Sequence, residues 1–302
     1  MEKVIITGGT GLIGKHLTKM LIDKGYAVAL LVRNSYKTES MQTWFWDIEA
    51  RTMDIGALDE TDYIIHLAGA GIGDKRWTAA RRQEIRDSRI KSAELIYDEV
   101  MREKRHVKAF ISASAIGYYG SATSEKIFTE TDPPAGDFLG ETCRLWEESA
   151  DRFQKAGIRT VKIRSGVVLA SKGGALPKLA LPVKLGFGSH LGNGYQYIPW
   201  IHIDDLCGIF IKALEDTTMT GPYNAVTPEQ TTNRQLMKAI ARVMHKPMWF
   251  PPIPSFVLHL LLGEMSSMLL NGSRVAADRI SSAGYEFRYR TLDRALTYLL
   301  KS

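Results

Sequence analysis

Residues 4–14 read V-I-I-T-G-G-T-G-L-I-G, an apolar strand-like run followed at once by glycines and then by a helical pattern. Ile13, Leu17, Met20 and Leu21 recur at i, i+4, i+7 and i+8, which is one face of a helix. Strand, turn and helix in this order predict a backbone that comes close to a dinucleotide pyrophosphate beneath a helix N-terminus. Gly8 suits the positive φ of the tight turn, Gly11 leaves the ligand room, and Gly14 lets the helix lie close on the sheet. Exposed N–H groups and the helix dipole would favour the anion there. The competing reading is an ordinary glycine-rich turn.

Strand and helix patterns alternate through the first half. Candidate strands are 4–7, 27–32, 43–47, 63–68, 109–112 and 160–164, several of them near-continuous apolar runs. Helical patterns occupy 12–24, 78–103 and 139–155. The expected fold is α/β, a Rossmann-type doubly wound parallel sheet with a smaller, mostly C-terminal substrate lobe. Ligands bind such sheets at the carboxyl ends of the strands. The expected domains are 1–165 for dinucleotide binding and 166–302 as a cover lobe, interleaved so that some later strands return to the sheet. Glycine and proline make 173–200 read as loops, and helices are expected over 205–215, 233–244, 255–270 and 292–300. Asp204 and Asp205 read as a helix N-cap and a first-turn acid.

The chain is 45% hydrophobic and 24% charged, a globular balance. Its net charge of +6 comes from bases interspersed with acids, which argues against nucleic acid and fits phosphorylated small molecules. Cys143 and Cys207 lie in helical patterns and read as buried reduced thiols, which fits a cytoplasmic setting. No metal-ligand spacing is present. The opening M-E-K-V-I-I leaves no room for a signal peptide. The apolar stretch 256–270 is interrupted by His259, Gly263 and Glu264 and is too short and polar to span a bilayer, so no membrane partner is expected. The expected partner is a small-molecule substrate of unknown identity, and a homodimer stays open.

In dinucleotide folds the end of the second strand meets the adenosine ribose. An acid there suits NAD, whereas an arginine suits the 2′-phosphate of NADP. This strand ends L-L-V-R-N-S, with Arg33 at that position and no acid nearby. The guanidinium can hold a phosphate through paired hydrogen bonds, so NADP is the expected cofactor. An exposed strand-end arginine without a ligand is the alternative.

With L-A-G at 67–69 and S-A-S-A-I-G-Y-Y-G at 112–120, the chain resembles an extended short-chain dehydrogenase/reductase. More narrowly it is similar to the atypical epimerase family proteins, a resemblance that implies an NADP-dependent oxidoreductase. Supporting segments are D-K-R-W at 74–77, E-I-R-D-S-R at 84–89, R-S-G-V-V-L at 164–169, P-W-I-H-I-D-D-L at 199–206 and A-G-Y-E-F-R-Y at 283–289. The resemblance implies cofactor contacts from Gly8, Gly9, Thr10, Gly11, Leu12, Ile13 and Gly14, and from Val32 and Arg33. It also implies contacts from Leu67, Ala68, Gly69, Glu84, Arg89 and Val168. Asp47 either approaches the adenine amino group or forms a turn. Glu84 and Arg89 stand at i, i+5, poor spacing for a helix ion pair, which favours a ligand role for Arg89 over a solvated charge.

Active members of that superfamily combine a Ser or Thr with a Tyr and a Lys four residues later. The cation makes a phenol of pKa near 10 usable at neutral pH. Ser114 fits the serine. Residues 136–147 contain neither tyrosine nor lysine: Phe138 or Leu139 stands for the phenol and Thr142 or Cys143 for the amine. Two readings follow. An oxidoreductase or epimerase-like enzyme would take its proton from Tyr118, with Tyr119, His202 and Lys75 as further candidates. A non-catalytic NADP-binding regulator or sensor would need none.

Overall fold

The apolar runs of the first half form strands covered on both sides. Val4 and Ile6 enter one core cluster with Leu17 and Leu21, while Ile5 between them enters the opposite cluster with Ala93, Ile96 and Phe153. Complete burial of such side chains contributes roughly 1.5–3 kcal/mol each. The computed structural model describes residues 1–34 and 41–301.

The first half runs β1 (Lys3–Thr7), α1 (Leu12–Asp23), β2 (Ala27–Val32), β3 (Gln42–Asp47), β4 (Thr52–Met53), β5 (Tyr63–His66) and α2 (Ala79–Arg102). It continues through β6 (Ala109–Ala115), β7 (Ile127–Phe128), α3 (Phe138–Lys155) and β8 (Arg159–Ser165). The second half holds β9 (Val167–Leu169), α4 (Ala175–Lys184), β10 (Trp200–His202), α5 (Ile203–Glu215), β11 (Gly221–Ala225) and α6 (Asn233–Val243). Then come α7 (Ser255–Leu262), α8 (Ser267–Leu270), β12 (Arg274–Val275), α9 (Asp278–Ser282) and α10 (Leu292–Lys301).

The central sheet has the order β11-β8-β6-β5-β1-β2-β3-β4. Every pairing is parallel except β3 with β4. This is the expected Rossmann-type α/β fold. Strand order reverses at β1, with β2 on one side and β5 on the other, so the crevice opens where the turns after β1 and β5 diverge. β11 closes the far edge against β8, so chain beyond residue 165 completes the sheet. G-P-Y-N-A carries little strand signal by itself.

Three expectations for the second half are corrected. Residues 175–184 form a helix, not a loop, because Leu176, Ala180 and Val183 bury one face. Pro177 lies in the first turn, where a missing N–H costs nothing, and Pro182 lies two residues before the end. The single helix over 255–270 breaks at Gly263, whose φ of +60° ends α7 and starts a 3₁₀ turn. α5 begins at Ile203, before Asp204. His202 is its N-cap, with Nδ1 accepting from the Asp204 N–H at 3.1 Å.

Asp205 instead ties two segments of the second half together. Its carboxylate accepts from the Arg288 and Tyr289 N–H groups at 2.7 and 2.9 Å and from the Tyr285 hydroxyl at 3.1 Å. The W-I-H-I-D-D and A-G-Y-E-F-R-Y segments are therefore two halves of one joint.

Candidate functional site

The turn from β1 into α1 is built from missing side chains. Gly8 has a φ of +69°, and a Cβ there would lie 2.8 Å from the Leu67 carbonyl. A Cβ on Gly14 would lie 2.5 Å from Gly9 Cα, so this glycine lets the helix seat on the turn itself. A Cβ on Gly11 would meet only the Gly8 carbonyl oxygen, at 3.2 Å. Gly11 is the N-cap of α1, with no side-chain cap and no acid in the first turn. The leading N–H groups of a twelve-residue helix are thus left without side-chain acceptors above the carboxyl ends of the strands. Gly9 packs on Leu30, Thr10 is exposed, and Leu12 and Ile13 are half-buried.

Thr7 joins this turn to the neighbouring one. Its Oγ1 accepts from the Leu67 and Ala68 N–H groups at 3.2 and 3.1 Å, so the ends of β1 and β5 are held together. Thr7 was not among the expected site residues, although its place at the end of the first strand was a visible signal. Leu67, Ala68 and Gly69 therefore border the same crevice as Gly8–Gly14. Arg89 lies behind Gly69, donating to the carbonyls of Ala70 and Ile85 at 3.1 and 2.7 Å and stacking 5.0 Å from the Trp146 ring. Burial lowers its pKa from the ordinary arginine value.

Beyond the end of β2, Arg33, Asp47, Glu84, Ser88 and Lys91 line one cleft of about 430 Å³. Arg33 and Asp47, expected at the adenosine end, thus meet Glu84, although the three come from separate elements. Val32 is the buried last residue of β2. Asp47 Oδ1 accepts from the Glu49 and Ala50 N–H groups at 2.9 Å, so the turn-forming role is present at the cleft wall. Glu84 pairs with Arg81 at 2.6 Å, which holds its carboxyl below the usual range. Ser88 and Lys91 follow Glu84 at i+4 and i+7, so helical periodicity is the signal that places them on the same cleft wall.

Val168 lies in β9, beside the segment 173–174 that crosses over Leu12. From the next helix, Lys178 Nζ reaches the Gly73 carbonyl oxygen at 3.5 Å, so α4 meets the loop after β5.

The far end of the crevice has a different chemistry. Ser114 is buried at the end of β6 and donates to Glu147 Oε1 at 2.7 Å. Glu147 also accepts from Arg164 Nε at 2.7 Å and Nη2 at 2.9 Å. Arg164 Nη1 donates to the Tyr119 hydroxyl at 2.9 Å, which donates to Asn224 Oδ1 at 2.7 Å. Burial works against the Arg164 charge, but Glu147 outweighs it and raises the guanidinium pKa. Tyr118 lies under the Arg164 guanidinium at 3.5 Å, half-buried. Burial raises its phenol pKa and Arg164 opposes that.

Leu139 and Cys143 are buried one helical turn apart on α3, and both face Gly117. Burial, with Glu147 nearby, pushes the Cys143 thiol up to about 12, so it stays protonated. Phe138 packs edge-on against Trp77 at 5.0 Å, and Thr142 donates back to the Phe138 carbonyl at 2.7 Å. An apolar wall of Trp77, Ile85, Leu139, Met265 and Met268 therefore stands where a phenol and an amine were sought.

The other polar candidates are largely engaged elsewhere. Tyr119 belongs to the buried Arg164 network, and burial pushes its pKa up to about 12. His202 caps α5 and stacks on Tyr289 at 3.7 Å. Lys75 is exposed, Arg76 packs over Gly263, and buried Trp77 donates to the Ile72 carbonyl at 2.9 Å.

Comparison with known proteins agrees with this architecture. Residues 4–227 match the NAD dependent epimerase/dehydratase family, and residues 253–299 match a domain of unknown function, DUF1731. The chain is 38% identical over 300 residues to the epimerase family protein YfhF of Bacillus subtilis, covering 98% of this chain and 97% of that protein. It belongs to the NAD dependent epimerase/dehydratase family. The Mycobacterium leprae epimerase family protein ML0860 is 32% identical, with 98% and 94% of the two chains covered.

Among solved structures, the human epimerase family protein SDR39U1 with NADPH superposes at a TM-score of 0.91 with 31% identity, covering 99% of both chains. A nucleoside-diphosphate sugar epimerase from Corynebacterium glutamicum gives a TM-score of 0.80 at 31% identity, covering 99% of this chain and 58% of that one. The expected resemblance to epimerase family proteins of the extended short-chain dehydrogenase/reductase type therefore holds.

Proposed function

We propose that this epimerase-family protein binds NADP(H) and carries out hydride transfer with a proton source other than the usual Tyr–Lys pair. The residues present fit the cofactor. The uncapped start of α1 and the bare Gly8–Gly14 turn suit a pyrophosphate, and the Arg33 guanidinium, in a cleft that Lys91 also lines, suits an adenosine 2′-phosphate. When bound, the nicotinamide ring would supply or accept the hydride. The chain's own residues bind, orient and exclude water.

The stack of Tyr118 beneath Arg164 carries the catalytic reading. Burial raises the phenol pKa and keeps it protonated at neutral pH, while the Arg164 guanidinium pulls the pKa down, the direction that a general acid in carbonyl reduction needs. Ser114 holds Glu147, and Glu147 holds Arg164 over the ring, so Ser114 acts here as a positioning residue. The apolar wall from Trp77 to Met268 would exclude water from the reacting carbon.

The buried Leu139 and Cys143 favour a second reading, an NADP-binding regulator without turnover. Incubation with NADPH and a panel of carbonyl compounds and nucleotide sugars separates the two. The catalytic reading expects cofactor oxidation with at least one substrate, and Tyr118→Phe to cut that rate about 100-fold with NADPH affinity kept within threefold. Tight NADPH binding with no oxidation across the panel would leave the regulator.

A further inference from the structure

Two segments of the second half differ in charge from the rest of the chain. Residues 171–203 and 244–263 contain no Asp or Glu, although the protein has 33 acids among 302 residues. They do carry Lys172, Lys178, Lys184 and Lys246 together with His190, His245 and His259. The structure brings the segments side by side. Ile253 N–H donates to the His190 carbonyl at 3.0 Å, Gly192 N–H to the Ile253 carbonyl at 2.9 Å, and Trp249 Nε1 to the Gly186 carbonyl at 3.2 Å. The Phe187 and Phe250 rings meet edge to face at 5.2 Å.

This acid-free region holds most of the large apolar side chains left in solvent. Leu181 on α4 and Leu185 at its C-cap stand one turn apart, with Phe187 and Trp249 beyond them, and Trp249 is 76% exposed. α7 follows directly, burying Leu258 and holding Ser266 through His259 Nδ1 at 2.7 Å, with Phe256 at 71% and Leu260 at 75% exposure. Contiguous exposed apolar surface on this scale marks an interaction site. Trp and Phe beside Lys is the composition of segments that lie in a lipid headgroup layer.

We infer that this face docks on an anionic lipid surface, with the aromatic and leucine side chains entering the headgroup boundary and the lysines meeting lipid phosphates. The charge pattern decides between this partner and a second copy of the chain. A twofold contact sets a patch against itself, so an acid-free face would place lysine against lysine with no counter-charge. An anionic surface supplies the missing sign. The acids that adjoin the two segments are already engaged: Asp204 with His16, Glu264 with Arg82, and Glu125 with Arg274 and the Tyr197 hydroxyl. Among the described residues no helix is long and apolar enough to cross a membrane, so attachment would be peripheral. The expectation of no membrane partner considered spanning segments only.

The test is flotation of the full chain with phosphatidylcholine vesicles, with and without 30% phosphatidylglycerol. The expected result is binding to the anionic vesicles only, reduced at least tenfold in 0.5 M salt. Lys184→Glu with Lys246→Glu, and separately Trp249→Ser with Leu260→Ser, should each cut binding at least tenfold with the melting temperature kept within about 3 °C. No flotation with anionic vesicles, or equal flotation with neutral ones, overturns the inference. So does a solution dimer at micromolar concentration that Trp249→Ser dissociates. If a variant fails to fold, the composition and salt dependence of the wild-type protein still decide.

Discussion

Around the β1–α1 turn the chain strips away side chains, whereas at the ends of β6 and α3 it fills the space with them. The first region leaves helix N–H groups above the strands, with glycines where any Cβ would collide or intrude. The second region buries Ser114, Glu147, Arg164 and Tyr119 in one closed network and sets Leu139 and Cys143 beside it. The comparison separates two properties that usually travel together in such folds. Anion recognition depends on backbone and empty space. Proton transfer depends on a few titratable side chains, which can be lost while the fold stays intact.

The largest expected effect probes the filled region. Glu147→Ala leaves Arg164 buried without its counter-charge, and unfolding titrations should show a loss of about 3–5 kcal/mol. An effect below 1 kcal/mol would mean that the network is not sealed from water.

A pH series sharpens the comparison within the two cores. Burial lowers His66, in the sheet, from 6.5 to about 3, and His202, at the joint in the second half, to about 4. The unfolded chain takes up both protons near pH 6.5 and the folded chain resists them. Stability is therefore full above about pH 6.5 and falls as the pH drops through 4 toward 3, by on the order of 2–4 kcal/mol per histidine. Urea midpoints against pH should show this slope, and His66→Gln should flatten it. A flat profile from pH 7 to 4 would contradict the buried neutral rings.

The smallest of the three tests the stripped region. Gly14→Ala places a methyl group 2.5 Å from Gly9 Cα, backbone that cannot swing aside. NADPH binding should weaken about 100-fold, near 3 kcal/mol, while the network around Arg164 is untouched. Binding unchanged by this variant would show that the turn does not hold the ligand.

Much of this contrast was legible in the sequence, for reasons that differ by region. β2 was read to the residue because A-V-A-L-L-V is buried on both faces and ends abruptly at Arg33. The glycine turn declared itself because backbone requirements select residue type directly. That 136–147 holds neither tyrosine nor lysine was plain in the sequence, but the network at that end of the crevice was not. Ser114, Glu147 and Arg164 come from three elements, and nothing local in the chain announces a contact 33 or 17 residues away. α4 was hidden by Pro177 and Pro182: the first is tolerable only once the helix start is known, and the second sits inside the helix, held by the burial of Leu176, Ala180 and Val183. β11 was hidden because its strand character comes from pairing with β8.

The central claim is that the crevice reads a phosphorylated adenosine through Arg33 while its main-chain amides hold the pyrophosphate. Calorimetric titration of the wild-type protein and Arg33→Asp, each with NADPH and with NADH, tests it most directly. The account predicts tighter binding of NADPH by the wild type, with Arg33→Asp costing about 100-fold for NADPH and under threefold for NADH. No heat with either nucleotide, or equal losses for both, would contradict it.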